Sequence, residues 1–191
     1  MRGSLWNGVG ASMLALTVIS NAAQAQVSDN DGCSNATLQG DYAFSVHGQF
    51  LGLVTATGPQ YFSSPVPVDV VAMTNFDGKG NIVQVDFTMA NGLNPPASPS
   101  DVDPLTGFTI NESGRYKVFP DCSGNLELNL PGVFIAAKFV LANEGHEIHT
   151  VIYQERVAKP ILGCASSTGC DTLIQSHSDG TKLLSGSQDN N

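Results

Sequence analysis

Positive charge is scarce in this chain. Eight Lys and Arg stand against 17 Asp and Glu in 191 residues, a net charge of −9. Such a surface repels phosphate backbones and anionic headgroups, so nucleic acid is not an expected partner. Long apolar runs are missing after Ala25, because each is cut by Asp, Asn, Gly or Pro. Nothing there reaches the roughly 20 residues of a spanning helix. No segment keeps a helical period over about ten residues. Cysteine is limited to four, with no Cys-x-x-Cys spacing, which argues against a zinc site. There is no Gly-x-Ser-x-Gly and so no nucleophile elbow.

The first residues are of another kind. Met1-Arg2 is a short positive start, Val9 to Ile19 is mostly apolar, and Ala23-Gln24-Ala25 has the small-x-small form that signal peptidase reads. Residues 1–25 therefore read as a signal peptide cleaved after Ala25, with no stable membrane insertion afterwards. The expected location is secreted or periplasmic. Cleavage removes Arg2 and makes the chain one unit more acidic, a charge that suits solubility.

In an exported chain an even number of cysteines reads as disulfides. Cys33, Cys122, Cys164 and Cys170 allow three pairings. Cys164 and Cys170 flank Ala-Ser-Ser-Thr-Gly, a short loop that closes easily, which leaves Cys33 for Cys122. Oxidised thiols are not nucleophiles, so thiol catalysis is not expected.

From Thr37 onward the dominant period is two, punctuated by glycine-rich turns, which predicts strands. Asp41 to Phe50 places Tyr42, Phe44, Val46 and Phe50 on one face. Val66 to Phe76 is β-branched, with Pro65 and Pro67 suggesting an edge or a late start. Asp77-Gly78-Lys79-Gly80 is a hairpin turn. Asn81 to Ala90 sets Val83, Val85, Phe87 and Met89 against Gln84, Asp86 and Thr88. Asn91 to Gly107, with four prolines, is a long loop of the kind that often carries function. Strands resume at Phe108 to Phe119, Asn125 to Leu130, Val133 to Leu141 (apolar enough to be buried on both faces) and Glu147 to Glu155. Thr172 to Gln175 or Thr181 to Leu184 offers an eighth. The expected layout is a flexible segment over 26–36, a β domain over 37–160, and a disulfide-closed tail over 161–191. Seven or eight antiparallel strands solve their edge problem as a barrel or as a β-sandwich.

Motifs with chemical associations are weak. His146-Glu147-Ile148-His149 spaces its histidines three apart at a strand start, on opposite faces, so no metal is expected. Asn35-Ala36-Thr37 and Asn111-Glu112-Ser113 match the glycosylation acceptor pattern and read as turn and edge residues. The remaining candidates are polar residues in mid-strand. His149 and Tyr153, on one side of a strand, are the candidate acid/base pair. His47, Gln49, Asp86, Arg115 and Glu127 are candidate ligand contacts. If the apolar faces pack inward, most of these are simply the wet outside.

Cys33-Ser34-Asn35-Ala36-Thr37-Leu38-Gln39-Gly40-Asp41-Tyr42-Ala43-Phe44 resembles the opening of a group of secreted bacterial proteins of unknown role. Phe76 to Asn81 is similar to their Phe-Asp-Gly-x-Gly-Asn hairpin, and Gly114 to Gly124 to their Gly-x-Tyr-x-Val-x-Pro-Asp-Cys-x-Gly segment. The likeness spans about Cys33 to Glu155 and implies the Cys33–Cys122 pairing. The group is similar in layout to allene oxide cyclase and dirigent barrels, and more distantly to lipocalins. It therefore implies a closed antiparallel barrel of about eight strands around an apolar cavity. The expected partner is a small hydrophobic molecule, bound without a cofactor. The expected activity is carriage, with cofactor-free cyclisation or isomerisation as the alternative. A cell-surface structural or interaction role is the third class, and self-association is compatible with all three.

Overall fold

The computed structural model describes residues 32–95, 98–158 and 169–184. The expected leader, Cys164 and residues 185–191 lie outside them. Eight strands follow in order: β1 (Gln39–Thr55), β2 (Gly58–Asp77), β3 (Asn81–Ala90), β4 (Thr109–Val118), β5 (Ser123–Leu130), β6 (Val133–Ala142), β7 (Glu147–Val157) and β8 (Cys170–Lys182). Each pairs antiparallel with the next, and β8 returns to β1, so the sheet is a closed ring. The β1–β8 ladder from Tyr42↔Lys182 to Val54↔Asp171 rules out two separate sheets. The eighth strand is an integral stave paired on both sides, where a tail with an optional strand was expected. Strands β1 and β2 run longer than their alternation suggested. Pro65 is accommodated because the β1–β2 register slips there, between Phe50↔Val66 and Gly52↔Tyr61; a residue with no N–H belongs where the ladder is already broken.

The β2–β3 hairpin shows how local chemistry sets the register. Asp77 Oδ1 accepts backbone N–H bonds from Lys79, Gly80 and Asn81 at 2.7, 2.9 and 2.9 Å. With the Asn81 side chain as the largest cause, these bonds pull its carboxyl down to about 2. The turn fixes Phe76 opposite Ile82, and both are almost fully buried. Even-numbered positions of β2 and β3 must then point inward along the whole ladder.

One end of the barrel, its base, is filled. Tyr42, Phe76 and Tyr116 meet edge-to-face, with centroids 5.3 and 5.1 Å apart, a preferred aromatic geometry. Neighbouring bulky side chains in the interior fit because glycines face them. A Cβ on Gly124 would stand 2.1 Å from the Phe139 ring, and one on Gly180 would stand 2.5 Å from both Phe44 and Ile148. Of the segment expected to be flexible over 26–36, residues 32–36 are described. Asn35–Thr37 makes a short turn across the base and delivers Leu38, which is wholly buried. Tyr116 OH donates to Leu38 O at 2.7 Å, and Asn35 Oδ1 accepts the Val118 N–H at 2.8 Å. Tyr42 OH donates to Gly145 O. The Cys33–Cys122 disulfide ties this segment down. Cys170 is disulfide-bonded as well, and the Cys164 end of the expected second pair lies outside the described residues.

Two bulges reset which side chains face inward. Gln84 pairs with Glu112 but Asp86 pairs with Thr109, so β4 carries one extra residue. Asn111 occupies it with φ 66°, a left-handed conformation that Asn tolerates better than most residues. In β7, Ala137 faces Ile152 and Ala136 faces Gln154, so Tyr153 is the extra residue. Beyond it the inward positions change from even to odd, and Glu155 and Val157 are buried.

Candidate functional site

Above the aromatic base the ring encloses a cavity of about 240 Å³. Its walls are largely apolar, with Phe44, Val46 and Phe50 from β1 and Val68 and Val70 from β2. Asn94 and Pro95 of the long β3–β4 loop and Pro131 of the β5–β6 turn line the end opposite the base.

Acidic groups interrupt this lining. Asp86 on β3, Glu112 on β4 and Glu155 on β7 all face the cavity and are 4%, 3% and 5% exposed. Lys, Arg and His are absent from the lining among the described residues. Asp86 and Glu112 form the end of a polar relay. Thr74 Oγ1 donates to Gln84 Oε1 at 2.7 Å, and Gln84 Nε2 donates to Glu112 Oε2 at 3.0 Å. Burial raises both carboxyls, and the charge of Asp86 raises Glu112 further, to about 8. The pair therefore retains a proton at neutral pH, as two close carboxyls in a dry site do. Burial alone lifts Glu155 to about 7. In a ring of eight, β7 and β8 stand across from β3 and β4, so Glu155 lies on the wall facing the pair. Thr150 and Ser178 hydrogen-bond to each other on that wall.

Two residues that line the cavity each carry a buried oxygen with no hydrogen-bond partner: Glu112 Oε1 and Ser176 Oγ. A buried polar atom left bare costs roughly 1–3 kcal/mol, and such atoms are uncommon in folded proteins.

Of the residues singled out from sequence, only Asp86 reaches this cavity. His47, Gln49, Arg115, Glu127, His149 and Tyr153 lie on the outer face and do not converge on it. His47 Nδ1 is 2.8 Å from Asp69 and His149 Nδ1 is 2.6 Å from Asp179. Both histidines are about half exposed. Gln49 Nε2 donates to Gln175 Oε1 at 3.4 Å. Arg115 sits opposite Glu127 in the β4–β5 ladder, and the Lys138 ammonium lies 5.5 Å over the Tyr153 ring. The acid/base pair expected at His149 and Tyr153 is thus on the wrong side of β7, because even positions face inward before the bulge. β3 reverses the usual alternation: its apolar Val83 is 58% exposed and its polar Gln84, Asp86 and Thr88 point in. The Phe76–Ile82 pairing dictates that choice. β6 is not buried on both sides, since Val140 is 52% exposed.

Glu112 and Glu155 were not among the expected contacts. Glu112 is hidden in a glycosylation-like triplet just after the β4 bulge, and Glu155 follows the β7 bulge. Among the described residues no three His, Cys, Asp or Glu side chains converge as metal ligands, and no helix is long and apolar enough to cross a membrane. A disulfide between Cys33 and Cys122 is compatible with an oxidising compartment. No protein-family model, no curated protein and no solved structure matches this chain.

Proposed function

We propose that this protein acts outside the cytoplasm as a binding module for a small, mainly apolar molecule held inside the barrel. The observation that carries this reading is the cavity of about 240 Å³ with apolar walls and two unsatisfied polar atoms, Glu112 Oε1 and Ser176 Oγ. Ligand sites have this composition: mostly hydrophobic lining, with a few polar groups to fix orientation. A core without a ligand is normally filled to crystal-like density and leaves few polar atoms bare. The resemblance to allene oxide cyclase-like and dirigent-like barrels supports the same reading.

A second reading, cofactor-free cyclisation or isomerisation of an apolar substrate, is favoured by Glu155. A carboxyl held at about 7 inside an apolar cavity is poised for general acid/base work near neutral pH. Under this reading Glu155 and Glu112 take the roles that His149 and Tyr153 cannot reach.

The test uses prodan, a small uncharged naphthalene dye whose emission shifts to the blue in apolar surroundings. Wild-type protein is expected to bind it saturably with a blue shift. Val70→Trp fills the cavity from β2, where Val70 lies between Val46 and Thr88, and is expected to reduce prodan affinity by at least about tenfold. Equal binding by both proteins would place the dye elsewhere and remove the basis of the proposal.

A further inference from the structure

We propose that the molecule held in the cavity is a small organic cation, an ammonium group on an apolar skeleton, with Asp86 and Glu112 as its counter-ion site and Ser176 as a polar contact on the facing wall. This deepens the binding reading above and rests on it.

Three features of the cavity converge on that chemistry. The first is charge. The ionisable side chains facing the cavity among the described residues are Asp86, Glu112 and Glu155, all acidic. The other polar groups around them are neutral: Gln84 and Thr88 on β3, Thr109 on β4, Thr150 on β7, Ser176 and Ser178 on β8. An anion entering this space meets like charge and neutral groups but no cation, whereas a cation supplies the missing counter-charge.

The second is unmet bonding. Glu112 lines the cavity and is 3% exposed; its Oε2 is taken by Gln84, and its buried Oε1 has no hydrogen-bond partner. Ser176, 6% exposed, also has a bare Oγ. A free carboxylate lone pair accepts from an N–H donor, and a charged donor makes the stronger bond, about twice a neutral one.

The third is cost. Two carboxyls buried side by side, both pushed up by desolvation, destabilise the empty fold. Replacing them with apolar side chains of similar volume would commonly be neutral or stabilising. Such an arrangement is explained when a bound cation offsets the cost. An alcohol would satisfy Oε1 but leave the pair's charge uncompensated. The Phe and Val walls leave no place for a hydrated ion, so the charge must be borne on an apolar body.

Titration calorimetry near about pH 7 with three ligands of one chain length (octylammonium, octanol, octanoate) decides the matter. Octylammonium is expected to bind wild type at least about tenfold tighter than octanol, with octanoate weakest. In the double variant Asp86→Asn, Glu112→Gln the ammonium preference is expected to shrink to within about threefold while octanol binding persists. A second readout uses the wild type alone: octylammonium favours ionised carboxyls, so its binding releases protons, measured as a difference in heat between two buffers, and octanol binding does not. Octanol equalling octylammonium, an ammonium preference that survives in the double variant, or no proton release would each overturn the proposal. Prodan binding without octylammonium binding overturns the cation and leaves the cavity reading intact. Failure of all the ligands, prodan included, removes both.

Discussion

Replacing Cys33 and Cys122 together by Ala is expected to lower stability by about 4–5 kcal/mol, read as the drop in unfolding free energy from urea titrations. The disulfide closes a loop across a sequence separation of 89, and the chain-entropy estimate for closures of that length is about 4.7 kcal/mol. The loss should concentrate at the base. Cys33 N–H donates to Pro120 O at 3.2 Å and Leu38 N–H to Asn35 O at 3.1 Å. Amide exchange at Cys33 and Leu38 should therefore accelerate well before the strands open. The double variant also retains the Tyr116 bonds to the crossing segment, so it is expected to fold. Unchanged stability would mean that the segment is held by the Leu38 packing and those hydrogen bonds alone.

The second large effect is a dependence on pH that runs opposite to ordinary acid denaturation. Glu155 titrates at about 7 in the folded barrel against 4.5 for the free group. Between those values the folded state holds a proton that the unfolded chain has released. The stability contribution is therefore intact below about 4.5 and is lost as pH rises through about 7, a total of about 3 kcal/mol for this carboxyl alone. Glu112, raised first by burial and then by Asp86 to about 8, extends the same trend upward. Glu155→Gln should consequently be more stable than wild type at about pH 8 by about 3 kcal/mol, or roughly 6–12 °C in Tm for a chain of this size. The advantage should vanish near about pH 4. Glu112→Gln should act in the same direction while keeping the Gln84 contact. Melting curves of the three proteins at both pH values measure this. Variant and wild-type curves that stay parallel throughout would show that water reaches these carboxyls freely.

The alternation of side chains carried the strands well. β3 begins and ends where its polarity pattern does, seven of the eight strands match segments read from the sequence, and β8 (Cys170–Lys182) covers Thr172 to Gln175, one of the two alternatives offered for an eighth. What alternation could not carry is the side of the sheet that each residue occupies, for two reasons. A bulge is a two-strand event, visible only when both partners are known, and the extra residues Asn111 and Tyr153 look like ordinary strand residues in one dimension. Polarity is also a poor guide in a barrel whose inside is partly polar. On β3 the Val, Phe and Met positions face out, so the usual rule of apolar faces inward picks the wrong side. A signal for Asp86 does exist in the residues themselves. Counting by twos from Phe76 through the tight Asp77–Gly80 turn to Ile82 leads to Gln84, Asp86 and Thr88 on the side of the aromatic base. No such count reaches Glu155, because it crosses the Tyr153 bulge.

The edge-to-face rings of Tyr42, Phe76 and Tyr116 make the barrel a cup instead of a tube. A guest that enters past the rim near Asn94, Pro95 and Pro131 must leave by retracing its own path. Forward and reverse passage then share a single barrier. Any change at the rim that alters only this barrier multiplies the arrival and escape rate constants by one factor and leaves their ratio untouched. Substitutions there would retune residence time without retuning equilibrium occupancy, which is set deeper down, by the walls and the acids.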